Sequence, residues 1–92
     1  MKPLKLKTYS DSGHGWIAVK VKVLEELNIA RKISACSYLS STGATAYLEE
    51  DMDAGQLINA LKAHNVPYIL LDVSRAKSGR SGIRNYARYL SI

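Results

Sequence analysis

A nearly uninterrupted apolar run from Pro67 to Ser74 (PYILLDVS) is the segment that most constrains the fold of this chain. Strands that are buried on both faces have this composition, because they are packed against other elements above and below the sheet. The run therefore predicts a central strand. With 92 residues in all, the chain has room for one domain built around such a sheet.

Hydrophobic periodicity divides the first third of the chain into three further elements. Leu4–Tyr9 alternates apolar and polar residues, and Trp16–Lys20 has strand-like composition, so we predict two strands joined by the turn-rich loop Ser10–Gly15. From Val21 to Ile29 the apolar residues lie three apart. This spacing predicts a short amphipathic helix that ends near Asn28, which tolerates a left-handed backbone.

The middle of the chain predicts a second hairpin and a longer helix. Ile33–Leu39 and Ala44–Glu49 have strand-like composition, and Asp51–His64 has the strongest helical pattern, with Asp51 or Asp53 available as its cap. The order β-β-α-β-β-α-β favours an α+β domain. We expect a small, mostly antiparallel sheet with two helices packed on one face.

Charge is distributed very unevenly along the chain. Residues 74–92 contain five basic and no acidic residues, so they carry the whole formal net charge of +5, while the remainder is neutral. We therefore interpret residues 1–74 as a single α+β domain and residues 75–92 as a basic C-terminal extension of that domain. The basic residues of the extension, which alternate with Tyr86 and Tyr89, are Arg75, Lys77, Arg80, Arg84 and Arg88.

The basic extension predicts a polyanion or an acidic protein surface as partner. Arginine can donate two parallel hydrogen bonds to a phosphate, and tyrosine can stack on an unpaired base. If Ile83–Leu90 is helical, Arg84 and Arg88 share one face. Arg31 and Lys32 either extend this positive surface or only make a loop more soluble, and a solvated terminus without a binding role is the alternative for the extension itself.

Residues capable of catalysis or metal binding are few, and their spacing matches no known motif. The acidic run Glu49–Asp53 lacks the alternating ligands of a calcium loop, so we interpret it as helix capping and a solvated turn. His14 beside Asp11 could form an acid–base pair, but hairpin structure is the favoured role. Cys36 is expected to be a small buried residue. We predict no catalytic residue, no metal and no cofactor.

Neither a secretory signal nor a membrane span is expected. Met1–Lys7 is charged but is followed by no apolar segment, and no part of the sequence approaches the ~18 apolar residues that a span requires. We expect a cytoplasmic protein.

Four segments together resemble a family of small bacteriophage proteins, the anti-CRISPR inhibitors of type I-F systems. They are YSDSGHGW (Tyr9–Trp16), ARKISACSY (Ala30–Tyr38), YLEEDMDA (Tyr47–Ala54) and RSGIRNYARY (Arg80–Tyr89). The resemblance implies a non-enzymatic inhibitor in the host bacterial cytoplasm. Such a protein binds the surveillance complex of Cas proteins and guide RNA and blocks target DNA binding; we expect it to be monomeric, without a membrane or small-molecule partner.

The residues expected to contact this partner are chosen by their chemistry rather than by the resemblance. They are Arg75, Lys77, Arg80, Arg84, Tyr86, Arg88, Tyr89, Arg31 and Lys32. Two other functions stay open. One is a general accessory phage protein that binds RNA or single-stranded DNA, and the other is a small nuclease that uses His14 and Asp11.

Overall fold

A computed structural model describes residues 2–73, 83 and 86–89, in which six strands form one mixed sheet. The strands are β1 (Leu4–Ser10), β2 (Gly15–Lys20), β3 (Tyr38–Leu39), β4 (Thr45–Glu49), β5 (Tyr68–Asp72) and β6 (Ala87–Arg88). The helices are α1 (Val21–Glu26) and α2 (Ala54–Ala63), and Ala30–Lys32 forms a 3-10 turn. Within this part of the chain, no helix is long and apolar enough to cross a membrane.

The strand order across the sheet is β5-β1-β2-β4-β3-β6. All neighbouring pairs are antiparallel except β1 and β5, which run parallel with Leu4 opposite Tyr68. The predicted α+β class and the mostly antiparallel sheet are therefore confirmed.

The main core lies between the helices and one face of the sheet, because alternate strand residues point to that side. Leu6 of β1 and Leu48 of β4 are buried against Leu24 of α1 and against Leu57 and Leu61 of α2. These side chains belong to one apolar cluster, so burial of the amphipathic faces holds both helices on the sheet.

The apolar run that predicted a central strand forms β5, which lies at an edge, so that prediction was wrong. Ile69, Leu70 and Leu71 are between 40% and 48% exposed. Within the described residues, β5 pairs only with β1, and the register places Ile69 and Leu71 opposite Lys5 and Lys7, on the face away from the main core. Composition alone cannot distinguish a central strand from an edge strand, because burial depends on neighbouring elements that the local sequence does not specify.

The predicted third strand and the predicted helix cap also differ from the structure. Of Ile33–Leu39, only Tyr38 and Leu39 form a strand. The preceding loop is held by Asp53, whose carboxylate accepts hydrogen bonds from Ser34 and Ser37. Asp53 is the N-cap residue of α2, but its carboxylate is directed toward these serines and makes no side-chain cap bond.

Each helix is followed by an asparagine whose backbone is in the left-handed region. Asn28 has φ of 60° after α1, and Asn65 has φ of 56° after α2. Asparagine adopts this conformation at a lower cost than most residues. The predicted end of the first helix near Asn28 is confirmed.

The helix considered for Ile83–Leu90 is wrong at Ala87 and Arg88, although Ile83 has 3-10 conformation and its carbonyl accepts a hydrogen bond from the N–H of Tyr86. Ala87 and Arg88 form β6, paired with Leu39 and Tyr38 of β3. The open edge of β3 offers hydrogen-bond partners outside the segment itself, which local periodicity cannot reveal. Ile83 and Tyr89 are buried.

Candidate nucleic-acid interface

One face of the sheet is not covered by α1 and α2 and carries an unusual concentration of aromatic and basic residues. The strand registers place Tyr9 opposite Trp16, Trp16 opposite Glu49, Tyr38 opposite Tyr47, and Arg88 opposite Tyr38. Residues opposite one another share a face, and the face alternates along each strand. We call the following side chains the open face: Lys5, Lys7, Tyr9, Trp16, Tyr38, Tyr47, Tyr86 and Arg88.

The centre of the open face is a second, smaller core. Trp16, Tyr38 and Ile83 are buried there, with Tyr9 and Tyr47 packed against them. Trp16 and Tyr38 meet edge to face, with ring centroids 6.4 Å apart. Because Trp16 and Tyr38 are almost fully buried, a base that stacks on this surface would contact the more exposed rings around them.

The tyrosines around this centre are more accessible. Tyr47 lies between Tyr9 and Tyr86, at centroid distances of 5.9 and 5.3 Å, and Tyr86 is 40% exposed. Burial, followed by the effect of Tyr86, raises the pKa of Tyr47 above 10.0. Tyr47 is therefore a neutral phenol at physiological pH and can donate or accept a hydrogen bond.

Arg88 is oriented on the open face by two contacts. Its guanidinium carbon lies 4.8 Å from the centroid of the Tyr38 ring, and its Nη1 donates a 3.2 Å hydrogen bond to the carbonyl of Ala35. Arg88 as a whole is exposed, and a guanidinium has five N–H donors, so further donors are available to an anionic ligand.

The predicted site residues are divided between the two sides of the sheet. Tyr86 and Arg88 lie on the open face, whereas Tyr89 is buried in the main core and donates its hydroxyl to the carbonyl of Ala30. Arg31 and Lys32 are exposed on the 3-10 turn beside Ala30. Tyr89 therefore packs rather than presents a ring for stacking. Arg75, Lys77, Arg80 and Arg84 lie outside the described residues.

Sequence reasoning missed the contribution of β1 and β4 to this surface. The alternation in Leu4–Tyr9 places Lys5, Lys7 and Tyr9 on one side, and this could have been read from the pattern. That Tyr47 faces the same way depends on the β2–β4 register, which no local pattern specifies.

His14 has a partner other than the one that the sequence suggested. Asp11 accepts hydrogen bonds from the backbone N–H groups of Gly13 and His14, both at 2.9 Å, and so shapes the turn. The imidazole Nδ1 instead lies 3.1 Å from Oε1 of Glu49. Cys36 was expected to be buried but is exposed, because it lies in the loop before β3.

Comparisons of the chain with protein-family models, with curated proteins and with solved structures found no match.

Proposed function

We propose that this chain is a non-enzymatic phage protein that inhibits type I-F CRISPR systems in the host bacterial cytoplasm. It binds the surveillance complex of Cas proteins and guide RNA and blocks target DNA binding. The observation that carries the proposal is the open face, where Tyr9, Tyr47 and Tyr86 lie on the same side of the sheet as Lys5, Lys7 and Arg88. The four segments that resemble anti-CRISPR inhibitors supply the choice of partner.

The chemistry of the open face suits RNA whose bases are unpaired. Proteins that read single-stranded RNA commonly stack bases on aromatic side chains of a sheet, and basic residues contact the phosphates. Tyr86 offers an exposed ring, and Arg88 is held nearby on β6. The guide RNA of a surveillance complex presents both a phosphate backbone and bases that await a target.

A basic inhibitor cannot act by mimicking DNA, because its charge has the opposite sign. The basic extension and the open face would contact the guide RNA. Glu50 and Asp51, the exposed carboxylates of the acidic run, would contact basic protein surface beside it, since these complexes line their nucleic-acid channel with lysine and arginine. A surface with both signs of charge suits a ribonucleoprotein better than bare nucleic acid.

The test is inhibition of target DNA binding by a purified type I-F surveillance complex. In the double variant Lys7→Glu, Arg88→Glu, two cations of the open face are reversed, and we expect inhibition to weaken by about tenfold or more. The matched control, Lys22→Glu, Lys62→Glu, makes the same change in net charge at exposed positions of α1 and α2. Circular dichroism verifies folding of both. Equal inhibition by the two double variants would contradict the proposal.

A second measurement separates the proposal from a general RNA-binding accessory protein. Gel shifts with free single-stranded RNA are made at low and at physiological salt. We expect weak binding at physiological salt without the complex, because the protein surface is part of the recognised site. Tight binding to free RNA would favour the accessory protein instead. In that case the logarithm of the binding constant should fall with the logarithm of the salt concentration, with a slope of about −0.7 per phosphate contact.

A further inference from the structure

His14 and the acidic segment after β4 are 35 residues apart in sequence but meet in the fold. The β2–β4 ladder pairs Trp16 with Glu49 and continues beyond both strands, since the N–H of Glu50 donates a 2.9 Å hydrogen bond to the carbonyl of Gly15. The next residues along the same register are His14 and Asp51. The imidazole of His14 and the carboxylates of Glu49 and Asp51 therefore lie close together at one end of the sheet.

We propose that His14, Glu49 and Asp51 bind a divalent transition-metal ion, with zinc as the ion that fits best. One donor atom from each residue lies within 4.8 Å of the other two. Nδ1 of His14 and Oε1 of Glu49 are 3.1 Å apart. Two ligands of one zinc ion, each at about 2.0–2.1 Å, are separated by about 2.9–3.4 Å, depending on the coordination angle. The observed spacing allows both atoms to bind one ion.

Glu49 is held in place for this role by the backbone. Its side chain is only 7% exposed, and Oε2 accepts hydrogen bonds from the N–H groups of Asp51 and Met52 at 2.8 and 2.9 Å. Oε1 is thereby directed toward His14. A ligand fixed by its own hydrogen bonds loses little conformational freedom when the ion binds.

The site is also accessible from solvent. The side chain of His14 is 44% exposed, and Asp51 is exposed. Both residues, together with Glu49 and Trp16, line one pocket on the open face. An ion can therefore enter without opening the core, and three protein ligands leave a fourth position of a tetrahedral ion for water or for a group of a binding partner.

The donor set favours zinc over the abundant hard cations. Calcium and magnesium prefer ligand sets made entirely of oxygen, whereas an imidazole nitrogen with carboxylate oxygens suits zinc and its neighbours. The sequence did not reveal this set, because His14 precedes β2, whereas Glu49 ends β4 and Asp51 follows it. This inference is independent of the proposed inhibition, since it needs no partner.

The test is titration of the full chain with zinc by isothermal calorimetry. All proteins carry Cys36→Ser, so that the exposed thiol does not bind the ion by itself. We expect the parent to bind one zinc ion per chain. In His14→Gln and in Asp51→Asn the affinity for zinc should fall by about tenfold or more, which is the smallest loss usual when the groups around a metal are changed. The matched control is His64→Gln, because His64 is exposed at the end of α2, and it should bind as the parent does.

Thermal unfolding supplies a second readout that does not depend on calorimetric heats. Zinc should raise the Tm of the parent and of His64→Gln equally and that of His14→Gln clearly less, because an ion that binds only the folded state stabilises it in proportion to the logarithm of its affinity. Magnesium should leave all three unchanged. Absence of binding by the parent, or equal zinc affinity of parent and His14→Gln, would overturn the proposal and leave only a hydrogen bond between His14 and Glu49.

Discussion

The hydroxyl of Tyr89 donates a hydrogen bond to the backbone carbonyl of Ala30, which lies 59 residues earlier in the chain. Tyr89 is only 4% exposed, and its own N–H donates to the carbonyl of Ser37 at 2.8 Å. These bonds attach the end of the basic segment to the loop before β3. An extension chosen for its charge therefore also contributes to the core.

The phenol of Tyr89 should contribute measurably to stability. Tyr89→Phe keeps the ring in the core but leaves the carbonyl of Ala30 without this donor, so we expect a loss of about 1–2 kcal/mol. Urea unfolding measures it. Tyr68→Phe is the matched control, because Tyr68 is only partly buried and its hydroxyl makes no hydrogen bond to the described residues, and it should change stability by less than about 0.5 kcal/mol. Similar losses in both variants would contradict an anchoring role for Tyr89.

Alkaline pH should destabilise the fold through Tyr89 and Tyr47. Burial raises the pKa of both phenols above 10.0, and Glu25 and Asp53 raise that of Tyr89 further. As the pH rises past 10.0, the unfolded chain loses these protons first and therefore binds fewer than the folded chain, so stability falls. Urea unfolding across this range measures the slope. In Tyr89→Phe the free energy of unfolding should fall less steeply with pH. An unchanged dependence on pH would contradict the role given to Tyr89.

The carboxylate of Asp53 should be among the most important polar groups of the fold. It is buried and accepts hydrogen bonds from the N–H and hydroxyl of Ser34, at 3.0 and 2.7 Å, and from the hydroxyl of Ser37. Asp53→Ala leaves these donors unsatisfied, and we expect a loss of about 3 kcal/mol in urea unfolding. Asp51→Ala, at an exposed position and with a chelator present, should cost under about 0.5 kcal/mol.

Asn65 should tolerate glycine better than a β-branched residue. Its φ of 56° lies in the left-handed region, where most side chains cost roughly 1–2 kcal/mol. We therefore expect Asn65→Val to lose about that amount and Asn65→Gly to be nearly neutral. Asn59→Val is the control, since Asn59 is exposed within α2. Asparagine and valine have similar helix propensities, so this substitution should change stability little. Equal losses at both positions would show that φ is not the cause.

The sequence predicted those elements in which one face is buried, because burial of one face leaves a regular spacing of apolar residues in the element itself. Alternation identified β1, and apolar spacing identified α2 because one side of it packs on the sheet. The edge position of β5 could not be predicted, since an apolar strand looks the same whether one or two neighbours pair with it. β6 was missed because its hydrogen-bond partners belong to β3.

The candidate site was only partly predictable for the same reason. The local sequence of the basic segment drew attention to Arg88 and Tyr86, which lie on the open face. The tyrosines of β1 and β4 join them only through the register of the sheet. The meeting of His14 with Glu49 depends on the same register, so the sequence suggested Asp11 as the partner of His14 only because it is near in the chain.

The parallel pairing of β1 with β5 has a consequence for how the chain folds during synthesis. Leu4 pairs with Tyr68, and the offset of 64 residues holds to the end of the ladder at Thr8 and Asp72. A growing chain can close the β1–β2 hairpin early, but the outer edge of β1 stays unpaired until β5 has been made. Pairs so distant in sequence form late, because a long loop must close first. Throughout that interval the nascent chain exposes an unfinished sheet edge, which chaperones or premature contacts with other chains can reach.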